Sequence, residues 1–276
     1  MRRVAIVGRG LIGGSIERAA RERLPDLELI VLDRGDRLTD AEDADLIVLS
    51  APIGEIVGLL GALRPIVTPA TLITDTGSTK AAIVSAAAGL RFIGGHPIAG
   101  AAASGLAAAR ADLFAGRPWV LTPTAGSDPG DLERLRAFVH GLGASPNVLD
   151  AAEHDRLFAC VSHLPQLVVS ALMDVVGTSV GAQGLALAGS GLRDSTRLAS
   201  SPPAIWRDIA RTNDANIRPA IDALIDALSR LRDDPDGSEL TAIFERAARW
   251  RAALEGTGPE GTEDAEREQH EDAEDT

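Results

Sequence analysis

Cysteine, lysine and tyrosine are nearly missing from this chain of 276 residues. It has one cysteine (Cys160), one lysine (Lys80) and no tyrosine. A single cysteine excludes an intrachain disulfide and fits a reducing compartment, so we expect the protein in the cytoplasm. No apolar run approaches the roughly 20 residues of a membrane span, and the apolar segment at the start is too short for a signal peptide. We therefore expect no membrane partner.

Basic residues are also outnumbered, and the net charge is −13. Residues 260–275 hold nine acidic side chains and one basic side chain. This segment lacks apolar periodicity, so we predict that residues 257–276 are a disordered acidic tail. The body is then mildly acidic, which argues against nucleic acid or an anionic membrane as partner.

The first thirty residues carry a pattern of strand, glycine-rich turn, helix and strand. An apolar run from Arg3 to Val7 leads into Gly8-Arg9-Gly10-Leu11-Ile12-Gly13, and a second apolar run ends at Asp33. In this pattern the first glycine makes a tight turn, the second admits a pyrophosphate, and the third allows close helix packing. The free N–H groups of the helix then face the phosphates. The pattern predicts a dinucleotide site, and the candidate residues are Gly8, Gly10, Leu11, Ile12, Gly13, Asp33, Arg34, Ala51 and Pro52.

Asp33 decides between the two nicotinamide dinucleotides. A carboxylate at the end of the second strand accepts hydrogen bonds from ribose hydroxyls and repels a 2′-phosphate, which favours NAD. The adjacent Arg34 could receive that phosphate, so NADP is the less favoured alternative.

Three further strands follow, over 44–50, 71–74 and 92–93. Strand ends in an open parallel sheet are where ligands bind. Ser78 follows the strand 71–74, where it could cap the next helix or direct its hydroxyl into the cleft. We expect Lys80, inside that helix, to be a solvated charge.

His96 stands on a glycine-bounded turn, Gly95-His96-Pro97-Ile98-Ala99-Gly100, after the short strand 92–93. A lone histidine on a turn is usually structural. At the carboxyl edge of the sheet it would stand beside the nicotinamide, where an imidazole can act as acid or base near neutral pH.

The second half has helical periodicity throughout. Asp150 begins a helix as N-cap, and Pro165 should kink it beside His163. His154 and His163 would lie about 180° apart on a regular helix, so we expect no metal site. Arg193 and Arg197 are four residues apart, which on a helix gives one face suited to carboxylate binding; ion pairs with Asp194 or Asp208 are the structural alternative.

Five segments together resemble the prephenate/arogenate dehydrogenase family of tyrosine biosynthesis. They are the glycine turn 8–15, Asp75-Thr76-Gly77-Ser78-Thr79-Lys80, the His96 segment, Ser162-His163-Leu164-Pro165 and Gly191-Leu192-Arg193-Asp194-Ser195-Thr196-Arg197. The resemblance covers roughly residues 3–255. It implies a Rossmann-type doubly wound α/β sheet followed by an all-helical dimerisation domain, and NAD-dependent oxidative decarboxylation of prephenate or arogenate by a homodimer.

The resemblance also implies roles for individual residues. His96 matches the histidine that helps to remove the proton of the ring hydroxyl, Ser78 matches a serine beside it, and His163 matches a second active-site histidine. Arg197 matches the arginine that holds the side-chain carboxylate, with Arg193 and Asp194 as charged neighbours. Ala101-Ala102-Ala103 departs from relatives with a polar or acidic residue there, so we do not expect gating by such a residue.

The predicted domains are a Rossmann domain over 1–149 and a helical domain over 150–256. Two other functions stay open. One is a β-hydroxyacid or imine-reducing dehydrogenase, which usually needs a lysine or aspartate in the helical half. The other is an NAD-binding redox sensor without turnover, which would need no convergent histidines and arginines.

Overall fold

The computed structural model of the chain describes residues 1–100 and 105–256. The predicted tail 257–276 and the alanines Ala101–Ala103 lie outside these residues. In the first half the strands are β1 (Arg3–Val7), β2 (Glu28–Leu32), β3 (Leu46–Leu49), β4 (Leu72–Asp75), β5 (Gly94–Pro97), β6 (Pro118–Thr122) and β7 (Ser145–Val148). The helices are α1 (Leu11–Arg23), α2 (Ile53–Leu63), α3 (Ala81–Ala86) and α4 (Pro129–Gly141).

Four parallel strands form the main sheet, in the order β2-β1-β3-β4. Strands β1, β3 and β4 are buried because their residues are almost all β-branched or aliphatic. The order reverses beside β1, and such a switch point leaves a crevice at the carboxyl ends of the strands. The predicted doubly wound α/β fold is confirmed.

His96 lies inside a strand, which corrects the prediction that it stands on a turn. Phe92 and Ile93 continue beside β4 through a bridge and hydrogen bonds to Ile73. The chain then enters β5, which pairs antiparallel with β6 in a second sheet of order β5-β6-β7. His96 is opposite Val120, so the sheet fixes its backbone on one side.

The second half is helical, as predicted, and within residues 150–256 the structure has no strand. It contains α5 (Ala151–Phe158), a π-helical turn (Ala159–His163), α6 (Leu164–Leu185), α7 (Ser190–Ser195), a 3₁₀ turn (Arg197–Ser200), α8 (Pro203–Thr212), α9 (Asp214–Arg232) and α10 (Ser238–Leu254). Asp150 caps α5 as predicted, with its carboxylate accepting from the N–H groups of Ala152 and Glu153.

The chain divides into two units, residues 1–220 and 221–276. The first unit joins the sheet to the helices that follow it, so the boundary between 149 and 150 stays a prediction. In the second unit Arg230 pairs with Glu239 at 3.4 Å. Large apolar side chains of α9 and α10 there are exposed, among them Phe244, Trp250 and Leu254.

One helical stretch, residues 151–185, is long and apolar enough to cross a membrane by length and composition. The expectation that no segment approaches this length is therefore corrected. The regular helix is interrupted by the π-helical turn, and buried polar side chains such as His154, His163 and Gln166 lie within the stretch.

Lys80 is completely buried, which overturns the prediction that it is a solvated charge. Its ammonium group forms an ion pair with Asp75, also buried, and donates to the Gly95 carbonyl at 2.6 Å. The N–H of Gly95 donates to the other Asp75 oxygen at 3.0 Å. A Cβ on Gly95 would stand 2.5 Å from the Asp75 carbonyl oxygen, so only glycine lets β5 run this close. The ion pair therefore positions the strand that carries His96.

Replacing Lys80 with methionine should be strongly destabilising, because it leaves the Asp75 carboxylate buried without its partner. We expect a loss of about 3–5 kcal/mol in the free energy of unfolding, measured by urea denaturation. Arg156→Met, which breaks the exposed pair with Glu153, should have a much smaller effect, because solvent screens exposed ion pairs. Equal losses in the two variants would contradict the importance of the buried pair.

Candidate active site

A cavity of about 820 Å³ opens at the carboxyl ends of β1, β2 and β3. Its walls include six of the nine predicted cofactor residues: Gly8, Gly10, Asp33, Arg34, Ala51 and Pro52. Leu11, Ile12 and Gly13 lie behind this wall at the start of α1, and the first two pack against the core. The structure thus joins the ends of three strands at one site, as expected for a dinucleotide site.

The glycines of the turn have separate steric roles. Gly8 has a φ of +103°, and a Cβ there would meet the Ser50 carbonyl oxygen at 2.0 Å. A Cβ on Gly13 would meet the Gly8 carbonyl oxygen at 1.9 Å, whereas one on Gly10 would meet nothing within 4 Å. Gly8 and Gly13 therefore allow β1, β3 and α1 to pack closely, and Gly10 leaves its backbone open for a phosphate.

The charges at the adenosine end favour an unphosphorylated ribose. Arg34, the residue that could receive a 2′-phosphate, is paired with Glu55 at 2.5 Å. Asp33 remains at the end of β2, where one carboxylate oxygen accepts the Arg34 N–H at 2.9 Å. This arrangement agrees with the preference for NAD inferred from Asp33.

The helix after Ser78 is capped from a distant part of the chain. Of the two roles that the sequence left open for Ser78, that of N-cap is wrong, because α3 begins at Ala81 with Lys80 as N-cap. The N–H groups of Lys80 and Ala81 donate to the two oxygens of Asp155, at 2.7 and 2.9 Å. Ser78 is half-buried in the preceding loop, and its hydroxyl has no hydrogen-bond partner among residues 1–100 and 105–256, so it is available to a ligand.

His96 is the end of a chain of buried hydrogen bonds. Its Nδ1 lies 2.8 Å from Nε2 of His154, and Nδ1 of His154 lies 2.8 Å from Oδ1 of Asp155. Phe158 stacks on the His154 ring at 4.3 Å between centroids and contacts the His96 ring at 4.9 Å. His96 is thus hydrogen-bonded to a second imidazole, which is in turn hydrogen-bonded to a carboxylate. Catalytic triads also place a base next to groups that orient it in this way.

Burial dominates the titration of these groups. It lowers the pKa of His96 well below the usual 6.5, and the nearby Lys80 charge acts in the same direction. Burial also lowers the pKa of His154, although the Asp155 hydrogen bond opposes this. For Asp155 burial acts to raise the pKa, but the hydrogen bonds from His154 and from the N–H groups of Lys80 and Ala81 outweigh it, so the pKa is lowered. At neutral pH both imidazoles are neutral and Asp155 is ionised.

His163 is buried on the other side of Asp155. Its Nδ1 lies 3.1 Å from the Asn213 side-chain nitrogen, which also donates to the Asp155 carbonyl oxygen at 2.7 Å. The Nε2 atom is buried and has no partner in the described part of the chain. Burial lowers the pKa of His163 to about 4. The π-helical turn Ala159–His163 interrupts the regular helix for which the 180° separation was calculated. His154 hydrogen-bonds to the Asp155 carboxylate, and His163 contacts Asn213, which donates to the Asp155 carbonyl oxygen.

The predicted anion-binding residues lie on two short elements rather than one helix face. Arg193 and Asp194 belong to α7, and Arg197 begins the 3₁₀ turn, because the helix ends at Ser195. All three are exposed and form no side-chain ion pair with another described residue. Asp208, the suggested alternative partner, lies 3.6 Å from Arg211 instead. Both arginines are thus free to bind an external anion.

Sequence reasoning missed His154, Asp155, Phe158 and Asn213. His154 and Asp155 are adjacent on a helix that looked amphipathic, and their partners lie 58 and 75 residues earlier. The spacing of residues along the sequence does not predict contacts between such distant positions. Within the described residues no group of three or more histidine, cysteine or acidic side chains could hold a metal ion.

Two family models match almost the whole chain. The prephenate dehydrogenase nucleotide-binding domain matches residues 5–148, and the prephenate dehydrogenase dimerization domain matches residues 150–245. The chain belongs to the prephenate dehydrogenase family. Its members are oxidoreductases, and the family relation confirms the resemblance found in the five sequence segments.

Individual relatives of the family agree with this. The chain is 30% identical to prephenate dehydrogenase of Bacillus subtilis, covering 91% of this chain and 76% of the relative. It is similar to the structure of Aquifex aeolicus prephenate dehydrogenase in complex with hydroxyphenyl propionate and NAD+ (28% identity, TM-score 0.84, 92% and 98% of the two chains). Synechocystis arogenate dehydrogenase has a TM-score of 0.78 at 30% identity, covering 91% and 99%.

The low pKa values of the buried histidines predict a pH-dependent stability. The unfolded chain has histidines with pKa near 6.5, so below pH 6.5 it binds more protons than the folded chain. Stability should therefore decrease as the pH falls from 6.5 toward 4, by up to about 1.4 kcal/mol per pH unit for each buried imidazole. Urea unfolding at fixed protein concentration measures this. Equal wild-type stability at pH 7.0 and 5.5 would contradict the prediction.

Proposed function

We propose that this chain catalyses the NAD-dependent oxidative decarboxylation of prephenate to 4-hydroxyphenylpyruvate, or of arogenate to tyrosine. The observation that carries the proposal is the buried His96–His154–Asp155 chain, in a member of the prephenate dehydrogenase family, within the unit that holds the dinucleotide cavity. The named relatives that act on prephenate and on arogenate support both substrates as candidates.

The open backbone at Gly10, the glycine packing behind it and the Asp33 carboxylate fit NAD. When bound, NAD accepts the hydride from the substrate carbon that bears the hydroxyl. Gly8, Gly10 and Gly13 shape the phosphate site, Asp33 binds the adenosine ribose, and Ala51 and Pro52 form the wall after β3. The relative from Aquifex aeolicus, solved in complex with NAD+, supports this cofactor.

His96 is the proposed base. It takes the proton of the ring hydroxyl as the hydride leaves the same carbon, and loss of carbon dioxide restores the aromatic ring. A neutral imidazole is required for this, and burial keeps His96 neutral at physiological pH. Ser78, whose hydroxyl has no partner among the described residues, hydrogen-bonds to the same substrate oxygen.

The exposed arginines are the proposed carboxylate site. Arg197 binds the side-chain carboxylate of the substrate, and Arg193 and Asp194 are its charged neighbours. In an acidic protein such a local pair of arginines is needed to attract a small polyanion. His163 is the second histidine of the site.

The site argues against the two alternative functions. The helical half contains no lysine, which argues against an imine-reducing or β-hydroxyacid dehydrogenase that uses a catalytic lysine there, and the one lysine of the chain, Lys80, is buried in an ion pair. A redox sensor without turnover would gain nothing from a buried base with two orienting groups, whose burial costs stability.

We further propose a cytoplasmic homodimer with a Rossmann domain over 1–149 and a helical domain over 150–256. The match to the family's dimerization domain supports the dimer, and so do exposed apolar side chains on α6 such as Leu172, Val175 and Val180. Covering these side chains with a second copy would remove apolar surface from water.

The deciding assay crosses prephenate and arogenate with NAD and NADP and follows reduced nicotinamide by absorbance. We expect turnover with NAD on at least one substrate, and a lower KM for NAD than for NADP. No reduction in any of the four combinations would overturn the proposed function, and a marked preference for NADP would overturn the role of Asp33.

Replacing His96 with asparagine should lower kcat by about 10² to 10⁴, because the general base is lost. Steady-state kinetics on prephenate or arogenate measures the effect. His140→Asn, at an exposed position of α4, should retain the wild-type kcat. A near-wild-type kcat for His96→Asn would refute its role as base.

Replacing Arg197 with alanine should chiefly raise the KM for the substrate, by about tenfold or more, because a charged hydrogen bond to a carboxylate is lost. The same kinetics serve, with the KM for NAD as internal reference. Arg136→Ala removes an exposed arginine of α4 and should leave both KM values unchanged. An unchanged substrate KM for Arg197→Ala would place the carboxylate elsewhere.

A further inference from the structure

We infer that Asp155 fixes opposite tautomers of two histidines, so that His96 presents a bare Nε2 and His163 presents a protonated Nε2. His154 and Asn213 are the positioning residues that transmit this from Asp155. The assignment of tautomers stands on hydrogen-bond geometry together with the neutral state of the three buried imidazoles. Its consequence for substrate binding rests on the proposed function.

The first set of hydrogen bonds starts at the Asp155 side chain and leads to His96. Its carboxylate accepts the N–H groups of Lys80 and Ala81 and lies 2.8 Å from Nδ1 of His154. An ionised carboxylate is only an acceptor, so Nδ1 of His154 must carry the proton. A neutral His154 then has a lone pair on Nε2, which faces Nδ1 of His96 at 2.8 Å.

The tautomer of His96 follows from this lone pair. Nδ1 of His96 must donate to it, so the single proton of neutral His96 is on Nδ1. Nε2 is then unprotonated and is the only ring nitrogen left for a substrate. When Nε2 takes a proton, the resulting positive charge stays hydrogen-bonded to His154 and, through it, to the Asp155 carboxylate.

The second set of hydrogen bonds starts at the backbone carbonyl of Asp155 and leads to His163. Asn213 is buried between α8 and α9, and its side-chain nitrogen lies 2.7 Å from that carbonyl oxygen. A flipped amide would place two acceptor oxygens at this distance, so the orientation is fixed by chemistry. The amide oxygen accepts from the Asn216 side chain at 2.7 Å, which satisfies it independently.

The amide orientation sets the tautomer of His163. The second N–H of the Asn213 side chain points at Nδ1 of His163 at 3.1 Å, so Nδ1 must accept. The proton of neutral His163 is therefore on Nε2, which is buried without a partner in the described part of the chain. An unpaired buried donor is costly, and an oxygen of the substrate would satisfy it.

The two histidines consequently have different roles. His96 accepts a proton, whereas His163 donates a hydrogen bond to a substrate oxygen and is no second base. The pKa of His163, lowered by burial to about 4, agrees with a ring that stays neutral and keeps its Nε2 proton.

The direct test is NMR of the full chain labelled with ¹⁵N-histidine, with and without NAD. The sequence has five histidines, and the variants His96→Gln, His154→Gln and His163→Gln assign the three buried rings. We expect His96 and His154 protonated on Nδ1 and His163 protonated on Nε2 at pH 7. A proton on Nε2 of His96, or on Nδ1 of neutral His163, would overturn the inference.

Two variants test the consequences. In Asp155→Asn the amide oxygen can take the place of Oδ1, which accepts from both the Lys80 N–H and Nδ1 of His154, so the tautomers stay the same. The negative charge that stabilises protonated His96 is lost, so kcat should fall by about 10² to 10⁴. In Asn213→Asp the carboxylate is only an acceptor, so Nδ1 of neutral His163 must carry the proton and Nε2 loses it. His163 can then no longer donate to the substrate, so the substrate KM should rise by about tenfold or more, with a smaller change in kcat. Glu153→Gln and Asn147→Asp, at solvent-facing positions, are the matched controls and should retain wild-type kinetics.

These results separate the inference from the proposed function. The NMR tautomers are measured without substrate, so expected tautomers in an enzyme inactive on prephenate and arogenate would overturn the function alone. In folded protein, a wild-type kcat in Asp155→Asn, or a wild-type KM in Asn213→Asp with the tautomer of His163 switched as described, would overturn the assigned roles.

Discussion

The carboxylate of Asp155 is the constraint on which the site depends. It accepts two backbone N–H groups at the start of α3 and one imidazole N–H, while its carbonyl accepts the Asn213 amide. One residue of the helical half thereby completes a helix of the sheet half and orients a histidine. The same contacts that hold the first unit together determine which ring nitrogen of His96 is free. Asp155 therefore contributes both to the stability of this unit and to the chemistry proposed for His96.

A buried ion pair, Lys80–Asp75, positions the strand that carries His96. The Lys80–Asp75 pair is fully enclosed, and its spare hydrogen-bonding capacity is used by both backbone groups of Gly95. Enclosing an ion pair gives little net stability, because desolvation offsets the attraction, but leaving one partner alone is very costly. The pair therefore fixes β5 in one position rather than adding stability, and His96 is the next residue on that strand.

Much of the first half could be predicted from the sequence because its signals are local. The apolar runs of β1 to β4 and the glycine turn specify a parallel sheet with a dinucleotide crevice, and steric contacts of Gly8 and Gly13 explain why those positions are glycine. His96 was recognised from its motif, but its element was wrong, since antiparallel pairing of β5 with β6 involves residues more than twenty positions apart. Lys80 was misjudged for a different reason: its ion-pair partner Asp75 is only five residues away, but the local sequence does not show that both side chains are buried.

The sequence by itself determined the α/β start, the helical second half, the family and the set of chemical groups, because these follow from period, turn residues and motif spacing. Tertiary structure alone decided that Asp155 caps α3, that His154 stands behind His96 and that Asn213 faces His163. Each of these contacts joins residues 50 or more positions apart. A hydrogen bond assigns a tautomer only when both partners are known, and the chain order does not contain that pairing.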